Sequence, residues 1–363
     1  MINLTIVAGA RPNFIKIAPI IRAVKKAQDR GVEIQFRLVH TGQHYDRSMS
    51  GSFFEQLEIP EPHVNLACGG GSQAEQTAAI MVAFENELME NPCDWVIVVG
   101  DVTSTMACSI SAKKLHIKVA HVEGGIRSGD IKMPEEINRL VTDAITDVFF
   151  TTSEIANNNL LKSGVEMEKI QFVGNTMIDT LEYHKDDLFA PAFFAEEGLV
   201  EKNYLVMTVH RPSNVDDKQQ LMDIFSEIDT KCEGYPVIFP VHPRTRKNML
   251  EFGIQPKNVR LVEPLSYFEF NYLVKNSKGV ITDSGGITEE TTVMGVPCIT
   301  MRDSTERPET IDIGTNELIG TNPRDLGIAL DKLLSGNWKK GKIPHLWDGK
   351  TSDRIIEWFL SNN

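Results

Sequence analysis

Two carboxylates stand directly behind short apolar runs. WVIVVGDVTST ends its run at Gly100 and presents Asp101, and KVAHVEGGIRSGD presents Glu123 ahead of Gly124-Gly125. One acid behind a strand is ordinarily a helix cap. Two acids in successive units, joined by one helix-length stretch over 103–115, come to the same end of a sheet and suit proton transfer. MPEEINRL adds Glu135 and Glu136. Pro-Glu-Glu is also an ordinary helix start, and Glu135 with Arg139 makes a helical i,i+4 pair.

A second group of residues suits an anion. In GVITDSGGITEE (279–290) an apolar run breaks into Asp283, Ser284, Gly285 and Gly286, and a helix-like pattern follows. Ser284 reads as an N-cap whose hydroxyl satisfies an orphan N–H, and the two glycines let a ligand approach bare backbone. A helix N-terminus of this kind favours phosphate. Glu290 lies roughly 9 Å further along the helix axis, about the offset between a diphosphate and the ribose of one nucleotide. The loop MRDSTERPE offers Arg302 and Arg307 after the next strand. In VAGARPNFIKIAPI, Arg11 and Lys16 flank a helix start, where cations oppose the helix dipole unless an anion binds. This turn is not GxGxxG, so no dinucleotide fingerprint is present. His210-Arg211 and His242-Pro243-Arg244 each follow a strand, and His40 and His44 flank TGQ as expected cleft-lining residues. Histidine has the pKa range to share a proton with a leaving phosphate. Neither HExxH nor GxSxG occurs, so neither a metal site nor that nucleophile motif is expected.

These residues need a scaffold that gathers strand ends. Short β-rich runs alternate with helix-length amphipathic stretches, which indicates βαβ units and parallel sheets. The first half offers strands at 4–9, 34–40, 95–100, 118–123, 147–152 and 170–174. The second restarts at 204–210 and continues at 236–242, 259–264, 279–283, 297–301 and 316–320. At 363 residues the chain is too long for one ordinary core. The expected architecture is α/β: two doubly wound, Rossmann-like parallel-sheet domains facing a cleft, at 1–185 and 186–350. The closing helix, 351–363, can pack back on the first domain. In such sheets ligands sit beyond the carboxyl ends of the strands, where the residues above fall.

Net charge is −13, which argues against a nucleic-acid or anionic-membrane partner and requires the cations of an anion site to be gathered locally. No apolar run approaches the ~20 residues of a membrane helix. The N-terminus MINLTIVAGA reads as a strand, not a signal peptide, and five dispersed cysteines read as free thiols in a reducing cytosol. From the residues alone the expectation is a nucleotide-shaped, anion-binding cleft with carboxylates on one wall and basic groups on both.

The segments GARPNFIKIAP, TGQH, GDVTSTMA, HVEGGIRSGD, PEEINR, GNTMIDTL, HRPSNVD, TDSGGITEE and RDSTERPE occur in order from about residue 9 to 320. In these the chain resembles the non-hydrolysing UDP-N-acetylglucosamine 2-epimerases. The resemblance implies a glycosyltransferase-B type fold, a homodimer, and no metal, NAD or other cofactor. It implies reversible conversion of UDP-GlcNAc to UDP-ManNAc by elimination of UDP, a 2-acetamidoglucal intermediate and re-addition. By that likeness Asp101, Glu123 and Glu135 would transfer protons. Arg11 and His210 would stabilise the leaving diphosphate. Lys16, Ser284, Gly285, Gly286, Glu290 and Arg307 would bind UDP, with His44, Arg127 and His242 also at the substrate, and Phe270 would pack near the uracil. HRPSN (210–214) stands where many bacterial members carry HRREN, and Leu265 stands where a glutamine near the uracil is frequent.

Other chemistries suit the same scaffold. A sister enzyme would act on UDP-2,3-diacetamido-2,3-dideoxyglucuronate, and the TERPE sequence at 305–309 favours UDP-GlcNAc over it. A hydrolysing epimerase would release ManNAc and UDP, a glycosyltransferase would need an acceptor, and a sensor would not need the three acids.

Overall fold

The computed structural model describes residues 1–42 and 54–362. The chain divides into two compact units, Met1–Tyr183 with His345–Asn363, and His184–Pro344. Each has its own sheet, and every strand pairing among the described residues is parallel.

The first unit contains β1 (Ile2–Ala8), β2 (Ile34–His40), β3 (Val64–Asn65), β4 (Trp95–Val99), β5 (Lys118–Val122), β6 (Val148–Thr151) and β7 (Ile170–Phe172). Their order is β3-β2-β1-β4-β5-β6-β7. The second contains β8 (Leu205–Thr208), β9 (Val237–Pro240), β10 (Val259–Val262), β11 (Gly279–Thr282), β12 (Cys298–Thr300) and β13 (Asn316–Leu318), in the order β10-β9-β8-β11-β12-β13. Both sheets are doubly wound, and each reverses direction once: between β1 and β4 in the first, between β8 and β11 in the second. These are the points where such sheets open to a ligand.

The inner strands are mostly apolar because helices cover both faces. All five residues of β4 are buried. The helices start and stop where local chemistry dictates. Ser72 caps Gln73–Glu90, accepting from Glu75 N while Glu75 reaches back to Ser72 N at 2.8 Å, and the helix stops before Asn91-Pro92.

Each expected strand is present, but all except β2 stop one or two residues early. At β4 and β5 the reason is visible in the backbone. Gly100 (φ 67°) and Glu123 (φ 72°) adopt left-handed conformations that turn the chain out of the sheet. The two-residue β3 was not expected, because Val64-Asn65 carries no apolar run and pairs only with β2 at the sheet edge.

The chain returns to the first unit at His345, earlier than the boundary of 351 read from the sequence. Trp347 fixes this return: it is buried, and its Nε1 donates to Thr152 O at 2.9 Å. The helix Thr351–Ser361 follows, with Asp179 accepting from Thr351 N and Ser352 N at 3.0 and 2.6 Å. Trp358 and Phe359 pack edge-on against Trp95 and Phe150.

Candidate active site

In the first unit the turn after β1 is held by Asn13, whose Oδ1 accepts from Gly9 N and Ala10 N at 3.1 and 3.0 Å. Asn13 Nδ2 donates to Val99 O at 3.1 Å and so ties the turn to the end of β4. Gly9 must lack a side chain, since a Cβ there would meet Ser104 Oγ at 2.1 Å. Arg11 opens the helix Arg11–Asp29 at the surface.

Lys16, one turn deeper, is buried and ion-paired with Glu123, Nζ to Oε2, at 2.6 Å. Gly100 lies against this pair, with a hypothetical Cβ 3.0 Å from Lys16 Nζ and 3.9 Å from Glu123 Oε2. Asp101 is next in the chain. Val99 pairs with Val122 across β4 and β5, so Asp101 and Glu123 emerge from the same edge of one sheet. The left-handed backbone of a non-glycine residue at Glu123 is strain of the kind concentrated at functional positions.

The helix Pro134–Ile145 docks on Asp101 from the other side. Arg139 pairs with the Asp101 carboxylate, and Asn138 Nδ2 donates to Asp101 O at 2.8 Å. Arg139 also donates to Glu136 at 2.6 Å. The i,i+4 pair of Arg139 with Glu135 expected from spacing is therefore replaced by an i,i+3 pair with Glu136 and a long-range pair with Asp101. Glu136 also accepts from Ser128 N, Ser128 Oγ and Gly129 N at 2.9, 2.9 and 3.2 Å. Burial pushes its carboxyl pKa up, but these donors outweigh burial and hold it below its ordinary value. Glu136 thus anchors a loop, while Glu135 stays half-buried on the first turn.

Arg127, partly buried, is bound to Asp143, Nη1 to Oδ2, at 2.6 Å. One expected lining residue differs. His40 is fully buried, stacked on Phe14 with ring centroids 5.3 Å apart, and its Nδ1 accepts from Gly42 N at 2.8 Å. It is a core histidine, not a lining one. His44 lies outside the described residues.

In the second unit one buried carboxylate organises the switch point. Asp283 accepts from His210 N at 3.0 Å, Arg211 N at 2.8 Å and Asn214 Nδ2 at 3.0 Å, and His210 Nδ1 lies 3.0 Å from it. Burial pushes the Asp283 pKa up, but the hydrogen bond and charge of His210, then Asn214 and Arg211, outweigh it and set the carboxyl below its usual value. His210 is half exposed, and His242 lies alongside with ring centroids 6.0 Å apart. Burial, His210 and Arg244 together lower the pKa of His242. His242 Nδ1 accepts from Arg244 N at 3.3 Å at the start of Pro243–Phe252.

Ser284 is the N-cap of Gly285–Met294 by backbone geometry, but its hydroxyl makes no capping bond, contrary to expectation. Its N–H instead donates to Thr282 Oγ1 at 2.9 Å. At Gly285 a Cβ would meet only ordinary contacts, 3.7 Å from Arg302 Nη1 and Glu306 Oε2. Packing in the free protein does not require glycine there; an approaching ligand would.

Arg302 is engaged by Glu306 in a two-bond fork of 2.7 and 2.6 Å. Arg307 is buried and pairs with Glu289. Glu290 is buried too, accepting from Tyr267 Oη at 2.8 Å and Asn271 Nδ2 at 3.4 Å. Burial, opposed by Tyr267 and aided by the charge of Glu289, pushes its pKa up to about 7. Phe270 and Leu265 are half-buried against one apolar cluster of this unit. Among the described residues, no group of three His, Cys, Asp or Glu side chains is placed to hold a metal ion.

Residues 25–360 match the family model described as UDP-N-acetylglucosamine 2-epimerase. The chain belongs to the UDP-N-acetylglucosamine 2-epimerase family. The UDP-N-acetylglucosamine 2-epimerase of Methanocaldococcus jannaschii is 41% identical to it, over 98% of each chain. A crystal structure of that organism's UDP-GlcNAc 2-epimerase in complex with UDP-GlcNAc and UDP superposes with a TM-score of 0.87 at 40% identity, covering 99% of this chain and 100% of the other. The UDP-2,3-diacetamido-2,3-dideoxy-D-glucuronate 2-epimerase of Pseudomonas aeruginosa is 36% identical, over 98% of each. The family also accounts for the two doubly wound parallel sheets.

Sequence reasoning missed Asn13, Asp143 and Asp283 as organisers of these turns. Asn13 and Asp283 stood inside the GARPNFIKIAP and TDSGG segments, which were the available signal. Asp143 carried none, because its partners lie 16 or more residues away in the chain.

Proposed function

We propose that this protein interconverts UDP-N-acetylglucosamine and UDP-N-acetylmannosamine without hydrolysis. A base removes the proton at C2 of the sugar as the C1–O bond breaks, and the bonding electrons leave with UDP. A C1=C2 double bond forms, giving a 2-acetamidoglucal. UDP oxygen then attacks C1 while a proton is delivered to the opposite face of C2. Asp101, Glu123 and Glu135 serve these proton transfers. Arg11 and His210 stabilise the charge developing on the diphosphate. Lys16, Ser284, Gly285, Gly286 and Arg307 bind UDP, Glu290 takes the ribose hydroxyls, and Phe270 packs near the uracil. Arg127, His242 and His44 also belong to the substrate set.

The observation that carries the reading is Glu123. A buried carboxylate is held in left-handed backbone, ion-paired to Lys16, at the same sheet edge as Asp101. A nucleotide-binding or glycosyl-transferring protein has no need of that pair of acids. The 41% identity to a UDP-N-acetylglucosamine 2-epimerase supports the choice of substrate over the diacetamidoglucuronate acted on by the 36% relative.

We assign the first unit to the acids and the second to the nucleotide, with a homodimer as the working assembly. The place of action is the cytosol, consistent with five unpaired cysteines, and the product serves cell-surface polysaccharide synthesis. Incubation with each UDP-sugar, followed by separation and NMR of the products, tests the reading. UDP-ManNAc from UDP-GlcNAc is the expected result. Free ManNAc would identify a hydrolysing enzyme, and turnover only of the diacetamidoglucuronate would reassign the substrate.

A further inference from the structure

His121, on β5, is wholly buried, and both of its ring nitrogens are engaged. Nε2 lies 2.8 Å from Gly100 O, and Nδ1 lies 2.7 Å from Asp143 Oδ1. The ring thus bridges a backbone carbonyl and a carboxylate. The second oxygen of Asp143 accepts from Arg127 Nη1 at 2.6 Å and from Gly125 N at 3.1 Å. Burial pushes the Asp143 pKa up, yet His121 and Arg127 outweigh it and hold the carboxyl below its ordinary value.

The network touches the attachment point of every proposed proton-transfer acid. Gly100 O immediately precedes Asp101. His121 lies two residues before Glu123, and Gly125 lies two after it. Asp143 sits on Pro134–Ile145, the helix that carries Glu135 and sends Arg139 to Asp101. Gly125 is fixed independently, because a Cβ there would meet Ala156 O at 2.4 Å. One imidazole and one carboxylate therefore join the end of β4, the turn after β5 and the Glu135 helix.

We infer that His121 and Asp143 are positioning residues that hold Asp101, Glu123 and Glu135 in register for proton transfer at C2. This rests on the acid roles proposed above. Neither residue needs to touch the substrate. A misplacement near 1 Å at reacting groups costs turnover by about 10²-fold.

The test uses full-length protein carrying His121→Gln or Asp143→Asn, the latter keeping the shape of the side chain. Each is expected to lower kcat about 10²-fold while leaving the UDP Kd within about threefold of wild type, because Ser284, Gly285, Gly286, Glu290 and Arg307, assigned to the nucleotide, belong to the second unit. The decisive readout is His121→Gln placed in an Asp101→Asn background, followed by deuterium incorporation at C2. A residue acting through the acids should cost clearly less there than in the wild-type background. A merely structural residue would impose the same loss in both backgrounds, which would overturn the inference. So would near-normal kcat in both single variants. If His121→Gln does not fold, Asp143→Asn carries the same comparison. Near-normal turnover of Asp101→Asn alone would instead defeat the underlying acid assignment.

Discussion

Nδ1 of His210 lies 3.0 Å from Oδ1 of the fully buried Asp283. The carboxylate faces one ring nitrogen, so the ring presents Nε2 on its exposed side. The same carboxylate binds the backbone N–H groups of His210 and Arg211. It thereby joins the loop after β8 to the turn that begins Ser284-Gly285-Gly286.

His210→Ala should therefore lower kcat by about 10²–10³-fold through loss of charge stabilisation on the diphosphate. Asp283→Asn should do comparable damage and also destabilise the fold by about 1–3 kcal/mol, since buried N–H donors lose a charged acceptor. Steady-state kinetics with thermal unfolding checks both. Both should lower Tm, Asp283→Asn the more, since His210→Ala removes one partner of the buried carboxylate and keeps its backbone N–H donors.

Lys16 and Glu123 neutralise each other in the free protein. Glu123→Gln should slow interconversion by at least about 10²-fold, yet UDP affinity should hold or rise, because Lys16 loses its carboxylate partner. Titration calorimetry with UDP gives the affinity. Weaker binding in this variant would mean that Lys16 does not serve the nucleotide.

Asp101→Asn and Glu135→Gln should likewise slow interconversion by about 10²-fold or more while largely sparing UDP affinity. Their structural costs differ. Asp101→Asn removes a charge paired with Arg139, whereas Glu135 takes no part in the Glu136–Ser128 anchor. Differential scanning calorimetry should therefore show the lower Tm in Asp101→Asn.

Glu290, with a pKa near 7, must be ionised to accept two ribose hydroxyls. UDP affinity should rise between pH 6 and 8, with proton release on binding, and Glu290→Gln should flatten that dependence. Calorimetry in buffers of different ionisation enthalpy measures the release. The sign for stability is opposite. A carboxyl whose folded pKa is raised favours the fold most below its unfolded value of 4.5, and that advantage is lost as pH rises to about 7. Glu309, also raised to about 7 mainly by burial, adds in the same direction.

Two glycines should respond in opposite ways to alanine. Gly9→Ala forces a Cβ to 2.1 Å from Ser104 Oγ and 2.8 Å from Thr41 Oγ1, and should cost about 1–3 kcal/mol of stability. Gly285→Ala has room, and its helical position favours alanine by roughly 0.5–1 kcal/mol, so the fold should hold while UDP binding weakens. Unchanged UDP affinity in Gly285→Ala would remove the diphosphate from this turn.

The fold was legible because every strand but β3 is a short apolar run, and several candidate residues follow one directly. Asp101, Glu123, His210 and Ser284 could be placed by counting from strand ends. Choices of partner were not legible. Spacing offered Glu135 to Arg139, but tertiary packing gave it Asp101 and Glu136. Nothing in the spacing marked Glu306 as the partner that takes both ends of the Arg302 fork. Ser284 had the right residue type for a capping bond, yet its hydroxyl does not make one. Burial of Glu290, His40 and His121 depends on what packs over them, and no local pattern reports that. The two-residue β3 is too short for any periodicity to mark.

The most direct measurement is incubation of the protein with UDP-GlcNAc in D2O, followed by proton NMR of the recovered UDP-sugars. The account predicts UDP-ManNAc carrying deuterium at C2, with deuterium entering the remaining UDP-GlcNAc as well. Epimer formed with its C2 hydrogen retained, or no exchange at all, would contradict it.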